Sequence, residues 1–395
     1  MSNTIWDCSN FIAANSKYVA VTWHGGGGKL AIINLDNTIK LPSDTPCLLG
    51  HTAPILDWCF HPFADNLIAT SSEDCTARIW SIPQGGLATS NESPLITLGG
   101  HSKKVGICQF HHVAMNVLTT AAMDHTVKLW DVEHGEKCNI NVHKDMIMSI
   151  SYNLDGSQFV STCRDKTIRL VDARSNTVTS ETQGHPGNKT SKAVWCKRKD
   201  KIVTIGFGKM QDRQIYVFDP RKMDEKLQDI DLDTASGVMM TFFDEDTNML
   251  YLGGKGDGNI RWFEIGDELS QLSETSYPNP QRGLCMLPKV ACDTTKCEMA
   301  RFMRLESDKI VPISFQCPRK QAATEFQEDV YPDTFSTTPT MSATEFFEGK
   351  TSEPNTMKIE FTSGGGGASA ELSIGNAAPV SASEIEAQKA KVLKL

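Results

Sequence analysis

The chain has 395 residues, 39% hydrophobic content and a net charge of −9, enough to bury one large repeat domain with an appendage. Its acids are concentrated late: residues 321–362 hold Glu325, Glu328, Asp329, Asp333, Glu345, Glu348, Glu353 and Glu360 against two lysines, while residues 1–320 are close to neutral, without the basic excess of a nucleic-acid-binding domain. No secretory leader and no run of eighteen apolar residues is present, so neither nucleic acid nor a membrane span is expected.

Near the N-terminus, Tyr18–Trp23 and Lys29–Leu35 read as two strands joined by the glycine run 25–28. That run lacks the Ser/Thr and the following helix of a phosphate-binding loop, and reads as a wide hairpin.

From Gly50-His51 onward one unit recurs. Asp74 stands six residues before Trp80, and the same interval separates Asp124 from Trp130, Asp165 from Val171, Asp212 from Phe218 and Asp257 from Phe263. Successive aspartates lie 50, 41, 47 and 45 residues apart. Upstream of the first four stand His51, His101, His143 and His185, three of them preceded by glycine. A period of about 40–50 residues with these end markers is the signature of WD-type β-propeller blades. Short runs such as Ile55–Phe60, Leu67–Ser71, Thr76–Trp80 and Val105–Phe110 are rich in β-branched and aromatic residues and bounded by turn formers, as strands are. Gly283–Leu287, Glu298–Leu305 and Ile310–Gln316 supply a last blade. The expected architecture is all-β: a seven-bladed propeller over residues 1–320. Few residues precede Trp6, so the strand that closes the ring is expected to be short or missing and the N-terminus trimmed or atypical.

An aspartate between two strands accepts hydrogen bonds from turn N–H groups. By resemblance to WD-repeat proteins, His51, Ser72, Asp74 and Trp80 form one buried hydrogen-bonded set, and His101, Thr120, Asp124 and Trp130 another. Because the pattern is copied from blade to blade, it reads as a shared core, not a catalytic triad. No unique nucleophile, metal set or cofactor loop emerges, so no enzyme, metal or cofactor is expected. The twelve cysteines lack a C-x-x-C spacing and read as free thiols in a reducing, cytoplasmic setting.

Beyond the blades, residues 321–362 interleave aromatics with acids, either as a partner-binding motif or as an extension packed on the propeller with Tyr331, Phe335 and Phe347 buried; packing is preferred, since an aromatic-bearing segment without repeats gains from docking on a neighbouring surface. Residues 363–383 are Gly/Ala/Ser-rich, a flexible linker. In 384–395, Ile385, Val392 and Leu395 have the spacing of a coiled-coil seam, less than two heptads long. The sequence thus reads as a propeller that stops just inside its coiled coil.

More specific than the repeat are Ser72-Glu73-Asp74-Cys75 with Ile79-Trp80-Ser81-Ile82-Pro83, Gly100-His101-Ser102-Lys103-Lys104-Val105-Gly106, Gly253 to Arg261, Pro280-Gln281-Arg282-Gly283, Pro318-Arg319-Lys320 and Asp329 to Thr334. In these segments, and in order over nearly all of residues 6–362, the chain resembles the coronins. The resemblance implies a cytoplasmic protein of the actin cytoskeleton that binds filamentous actin and other actin regulators, and that oligomerises through its coiled coil when full length. This chain alone is expected to be a monomer. Two departures stand out. Coronins usually carry about 25 more residues before the Trp-Asp matching Trp6-Asp7 (a family expectation; terminal units of repeat folds are atypical). Asn3 occupies the position where many have an Arg or Lys important for actin. The candidate actin contacts are Lys103 and Lys104, then Lys197, Arg198 and Lys199, then Arg319 and Lys320, since cations at a rim steer association with an acidic filament. The alternative is a general WD-repeat scaffold with little actin affinity.

Overall fold

The computed structural model describes residues 5–25 and 27–362. Seven antiparallel sheets follow one another along the chain. The first six have four strands each, and the seventh has three, Gly283–Met286, Glu298–Leu305 and Ile310–Gln316. Blade 1 spans 13–51, blade 2 55–99, blade 3 105–140, blade 4 147–183, blade 5 192–233 and blade 6 239–276.

Burial follows position in the blade. Innermost strands are covered on both sides, as Ile147–Tyr152 is along its whole length. Outermost strands such as Thr177–Gln183 alternate half-buried with exposed residues, the pattern of a sheet with one wet face. Neighbouring blades share apolar layers. Ala69, Ala77, Ile79 and Leu98 of blade 2 pack on Cys108, Phe110, Leu118 and Trp130 of blade 3, which is how stacked repeats build one continuous core.

The loops between blades and those between second and third strands lie on one face of the ring, here the upper. The remaining turns form the lower face. Residues 5–12 cross the upper end of the central channel. Trp6 Nε1 donates to the Gly106 carbonyl at 2.9 Å, Lys255 Nζ to the carbonyls of Trp6 and Asp7 at 3.1 and 2.9 Å, and Lys192 Nζ to that of Cys8. The chain then enters the innermost strand of blade 1, Ala13–Ala14.

The extension lies on the lower face. Met115 N donates to the Met341 carbonyl at 2.9 Å and Thr340 N to that of Val113 at 3.1 Å. A one-turn helix, Ala343–Phe347, begins with a capping box in which Ser342 and Glu345 exchange hydrogen bonds. It drives Phe346 into the ring beside His111, centroids 4.6 Å apart. His111 in turn needs Gly156: at φ +72°, a Cβ there would fall 2.1 Å from the imidazole Nε2. Tyr331 is buried as expected, but Phe335 and Phe347 are only half-buried, and the deeply buried aromatic is Phe346. The short helix turns Phe346 inward and leaves its neighbour at the rim. The expected linker 363–383 and coil 384–395 lie outside the described residues, as does Asn3.

Candidate functional site

Blades 2 and 3 carry the full hydrogen-bonded set. In blade 3, His101 bonds Asp124 at 3.0 Å and Thr120 at 2.8 Å, and Trp130 Nε1 donates to Thr120 at 2.8 Å. Asp124 also accepts from the backbone N–H groups of Ser102 and Thr126 at 2.9 and 3.1 Å. In blade 2, His51 bonds Asp74 at 2.8 Å, but the hydroxyl it shares with Trp80 is that of Thr70, at 2.8 and 2.9 Å. Ser72 instead donates to the Ala53 and Pro54 carbonyls, a correction to the expected set. Thr70 and Ser72 point to the same side of their strand, and Trp80 reaches only the nearer. Burial alone would raise the Asp74 carboxyl, but hydrogen bonds from His51 and Thr76 hold it well below the usual carboxylate range.

The later blades modify the device. His143 bonds Ser161 at 2.8 Å, while Asp165 pairs with Arg169 at 2.8 Å. His185 bonds Thr204 at 3.1 Å and stacks on Tyr216 with centroids 3.9 Å apart. Asp212 follows a lengthened turn, and its backbone carbonyl accepts from Gly208 N at 2.7 Å. Asp257 takes another role altogether. Buried Arg213 of blade 5 bonds it at 2.6 Å, linking blades 5 and 6, and is held in place by a bidentate pair with Asp233 of its own blade through Nε and Nη2, both at 2.6 Å.

The three basic clusters do not share a face. Lys103 and Lys104 are on the upper one. Lys103 is exposed, and Lys104 lies 5.0 Å from the Trp6 ring centre and 3.3 Å from Glu73. Lys197, Arg198 and Lys199 are on the lower face. There Lys197 pairs with Glu245 at 3.5 Å and Arg198 with Asp246 at 3.4 Å, while Arg198 also donates to the Asp333 carbonyl at 2.6 Å. Arg198 therefore holds the chain's own extension, while Lys197 is tied to blade 6. Arg319 and Lys320 are also low, with Arg319 bound to Asp329. The sequence reading named Lys103 but missed the rest of an upper arc over blades 3 to 5, where Lys103, Lys144, Arg164 and Lys209 are all exposed. Met210 beside Lys209 is 92% exposed. Each sits in an upper loop, one or two residues from a blade marker (His101, His143 or Asp165) or just ahead of Asp212. That spacing was the available signal.

The channel is a cavity of about 740 Å³ that runs from Cys8, Asn10 and Lys192 at the upper crosspiece to His61, His112, Lys197 and Thr334 beside the extension. Asp57 opens onto it, pushed up to about 6 by burial. Among the described residues no group of His, Cys, Asp or Glu is arranged to hold a metal ion, and no helix is long and apolar enough to cross a membrane.

Seven four-stranded-type blades with a repeated His–Thr–Asp–Trp device define a WD-repeat propeller. A family described as WD domain, G-beta repeat, matches residues 44–81, 92–131 and 136–172. One described as a type of WD40 repeat matches 310–354, and a domain of unknown function (DUF1899) matches 1–40. Coronin-A of Dictyostelium discoideum is 45% identical over 364 residues, 91% of this chain and 80% of that protein. Coronin-like protein crn1 of Schizosaccharomyces pombe is 37% identical over 91% of this chain, and the coronin-like protein of Saccharomyces cerevisiae 38% over 89%. The chain spans 60% and 56% of the length of these two yeast relatives. The crystal structure of the WD40 domain from Toxoplasma gondii coronin superposes with a TM-score of 0.87 at 32% identity, covering 91% of this chain and 94% of that one. The chain belongs to the coronin family.

Proposed function

We propose that this chain is a non-enzymatic, cytoplasmic binding platform that attaches to actin filaments through the upper-face loops of blades 3 to 5. Family membership supports the choice of partner. The observation that carries the choice of face is the arc Lys103, Lys144, Arg164 and Lys209, exposed cations without an ion pair among the described residues. On the lower face Arg198 and Arg319 are engaged by the extension and Lys197 by blade 6 instead. An exposed arc of one sign accelerates encounter with an acidic filament and gives salt-sensitive affinity. Met210 adds apolar contact beside it.

In this reading crosslinking requires two linked rings, which a coiled coil beyond the described residues would supply. Co-sedimentation with filamentous actin is the test. The wild-type chain pellets with filaments at low salt and less at moderate salt. The triple variant Lys144→Glu, Arg164→Glu, Lys209→Glu loses most of that binding, whereas Lys199→Glu with Lys320→Glu on the lower face leaves it unchanged. Equal binding by both variants overturns the choice of face, and no binding by the wild type overturns the choice of partner. The alternative, a general WD-repeat scaffold, is favoured by Asn3 standing where many coronins have a cation; wild-type pulldowns dominated by other proteins would select it.

A further inference from the structure

Most cysteine thiols of the ring are tied to a backbone carbonyl. Cys47 donates to Thr45, Cys138 to Arg174, Cys163 to Asp145 and Cys285 to Met303. Cys297 and Cys317 differ, because each faces the other. They stand one residue beyond the last paired residues, Glu298 and Gln316, with Cys297 in the left-handed conformation (φ 52°) that ends a short 3-10 turn, and Cys317 N donates to the Cys297 carbonyl at 2.9 Å. A backbone hydrogen bond of this kind between facing residues holds their Cα atoms at roughly 5.5 Å, inside the roughly 4.4–6.8 Å window that a disulfide spans. Burial raises the Cys297 thiol, and Cys317, as neighbour and hydrogen-bond partner, raises it further.

Cys297 is fully buried and Cys317 half-buried at the strand end. The Arg319 guanidinium hydrogen-bonds the Cys317 sulfur and also holds Asp329 at the start of the extension. Cys297 packs against Val330 and Tyr331 of that extension, and the Tyr331 hydroxyl donates to the Glu298 carbonyl at 3.0 Å. The pair therefore sits where the chain leaves the three-stranded blade 7.

We propose that Cys297 and Cys317 form a reversible dithiol–disulfide site, oxidised by hydroperoxides, that staples the exit of the chain from blade 7. The outer thiol, Cys317, attacks the peroxide, its O–O bond breaks, and sulfenic acid and one water (or alcohol) result. The Cys297 thiol then attacks the Cys317 sulfur, the S–O bond breaks, and its hydroxyl leaves as water with the Cys297 proton. Two thiols are oxidised and one peroxide is reduced. A thiol reductant reverses the reaction. A competing pair among the described residues is Cys59 with Cys108, which contact across blades 2 and 3; there burial, Cys59 and the Asp57 carboxylate all oppose thiolate formation at Cys108.

The experiment treats the native chain with a modest excess of hydrogen peroxide, blocks remaining thiols, and maps disulfide-linked peptides by mass spectrometry. The expected result is a drop from twelve to ten blockable thiols, with one linked peptide pair joining Cys297 to Cys317, restored by dithiothreitol. The accessible substitution Cys317→Ala abolishes the loss of thiols, so the test does not depend on altering buried Cys297. Linkage of Cys59 to Cys108, over-oxidation of Cys317 without linkage, or an unchanged thiol count overturns the proposal.

Discussion

The guanidinium carbon of Arg198 lies 4.8 Å from the centre of the Phe335 ring, and the same side chain donates to the carbonyl of Asp333 at 2.6 Å. A basic residue from a blade turn thus clasps the extension by a cation–π contact and a charge-assisted hydrogen bond. Arg198→Ala should cost about 1–3 kcal/mol and loosen residues 333–337. Limited proteolysis and the melting temperature check it: faster cleavage in the extension with a lowered melting point is expected, whereas Arg198→Lys should recover only part of both.

Asp124 gathers the two turn N–H groups and His101, so Asp124→Ala strands buried donors at about 1–3 kcal/mol each. Lys103→Ala, in an exposed loop two residues from His101, should fall within about ±0.5 kcal/mol. Denaturant unfolding of the two variants provides the comparison, and equal midpoints would contradict the role of Asp124.

Acid should destabilise the ring earlier than its carboxylates alone would. Burial lowers His61, His111 and His143 to about 4 and His185 to about 3. An unfolded chain binds these protons near pH 6.5, so it holds more of them than the fold between about pH 6.5 and 4, and stability falls as pH drops through that range. Asp57, raised to about 6, and Asp246, also raised by burial, oppose the trend, but they are two groups against six, since burial lowers His101 and His112 as well. The lowered carboxyls of Asp74 and Asp124 add their loss only below about pH 4. His185→Phe keeps a ring on Tyr216 and removes one titration. Its melting temperature should depend less steeply on pH between 6.5 and 4 than that of the wild type, whatever its absolute value.

If filament contact uses the upper arc, Met210→Asp should weaken pelleting with actin several-fold without moving the melting temperature, since a 92% exposed side chain supports nothing in the fold. Unchanged pelleting would remove Met210 from the interface.

Fusing a dimerising coiled coil after residue 395 should raise apparent filament affinity and low-speed bundling together, because the second ring then binds at millimolar-scale effective concentration. Bundling that rises without affinity would point to a second contact between rings.

The repeat was legible because the Asp-to-Trp interval is enforced by a turn and one strand, both local. The hydroxyl partner was misread in blade 2 for want of the same arithmetic. Thr70, Thr120 and Ser161 all stand four residues before Asp74, Asp124 and Asp165, and Ser72 does not. Blades 5 and 6 escaped because Arg213 meets Asp257 at a sequence separation of 44, a contact that no local pattern encodes. Clusters of cations were equally visible at Lys103-Lys104 and Lys197-Arg198-Lys199, but the sequence does not say which lie under the extension. Isolated cations such as Lys144 gain meaning only when seven blades bring their loops to one rim.

The residues that bridge the mouth of the channel are made long before their partners. Trp6 meets Gly106 at a separation of 100, Cys8 meets Lys192 at 184, and Lys255 reaches Trp6 at 249. During synthesis at about 5–20 residues per second, Trp6 waits roughly 10–50 seconds for Lys255 to emerge. Early blades can form in that interval, but the crosspiece that ties blade 3 to blades 5 and 6 cannot. The segment around Trp6 is therefore among the last parts to be fixed in place, and a nascent ring interrupted before residue 255 would be left with that segment unanchored on one side.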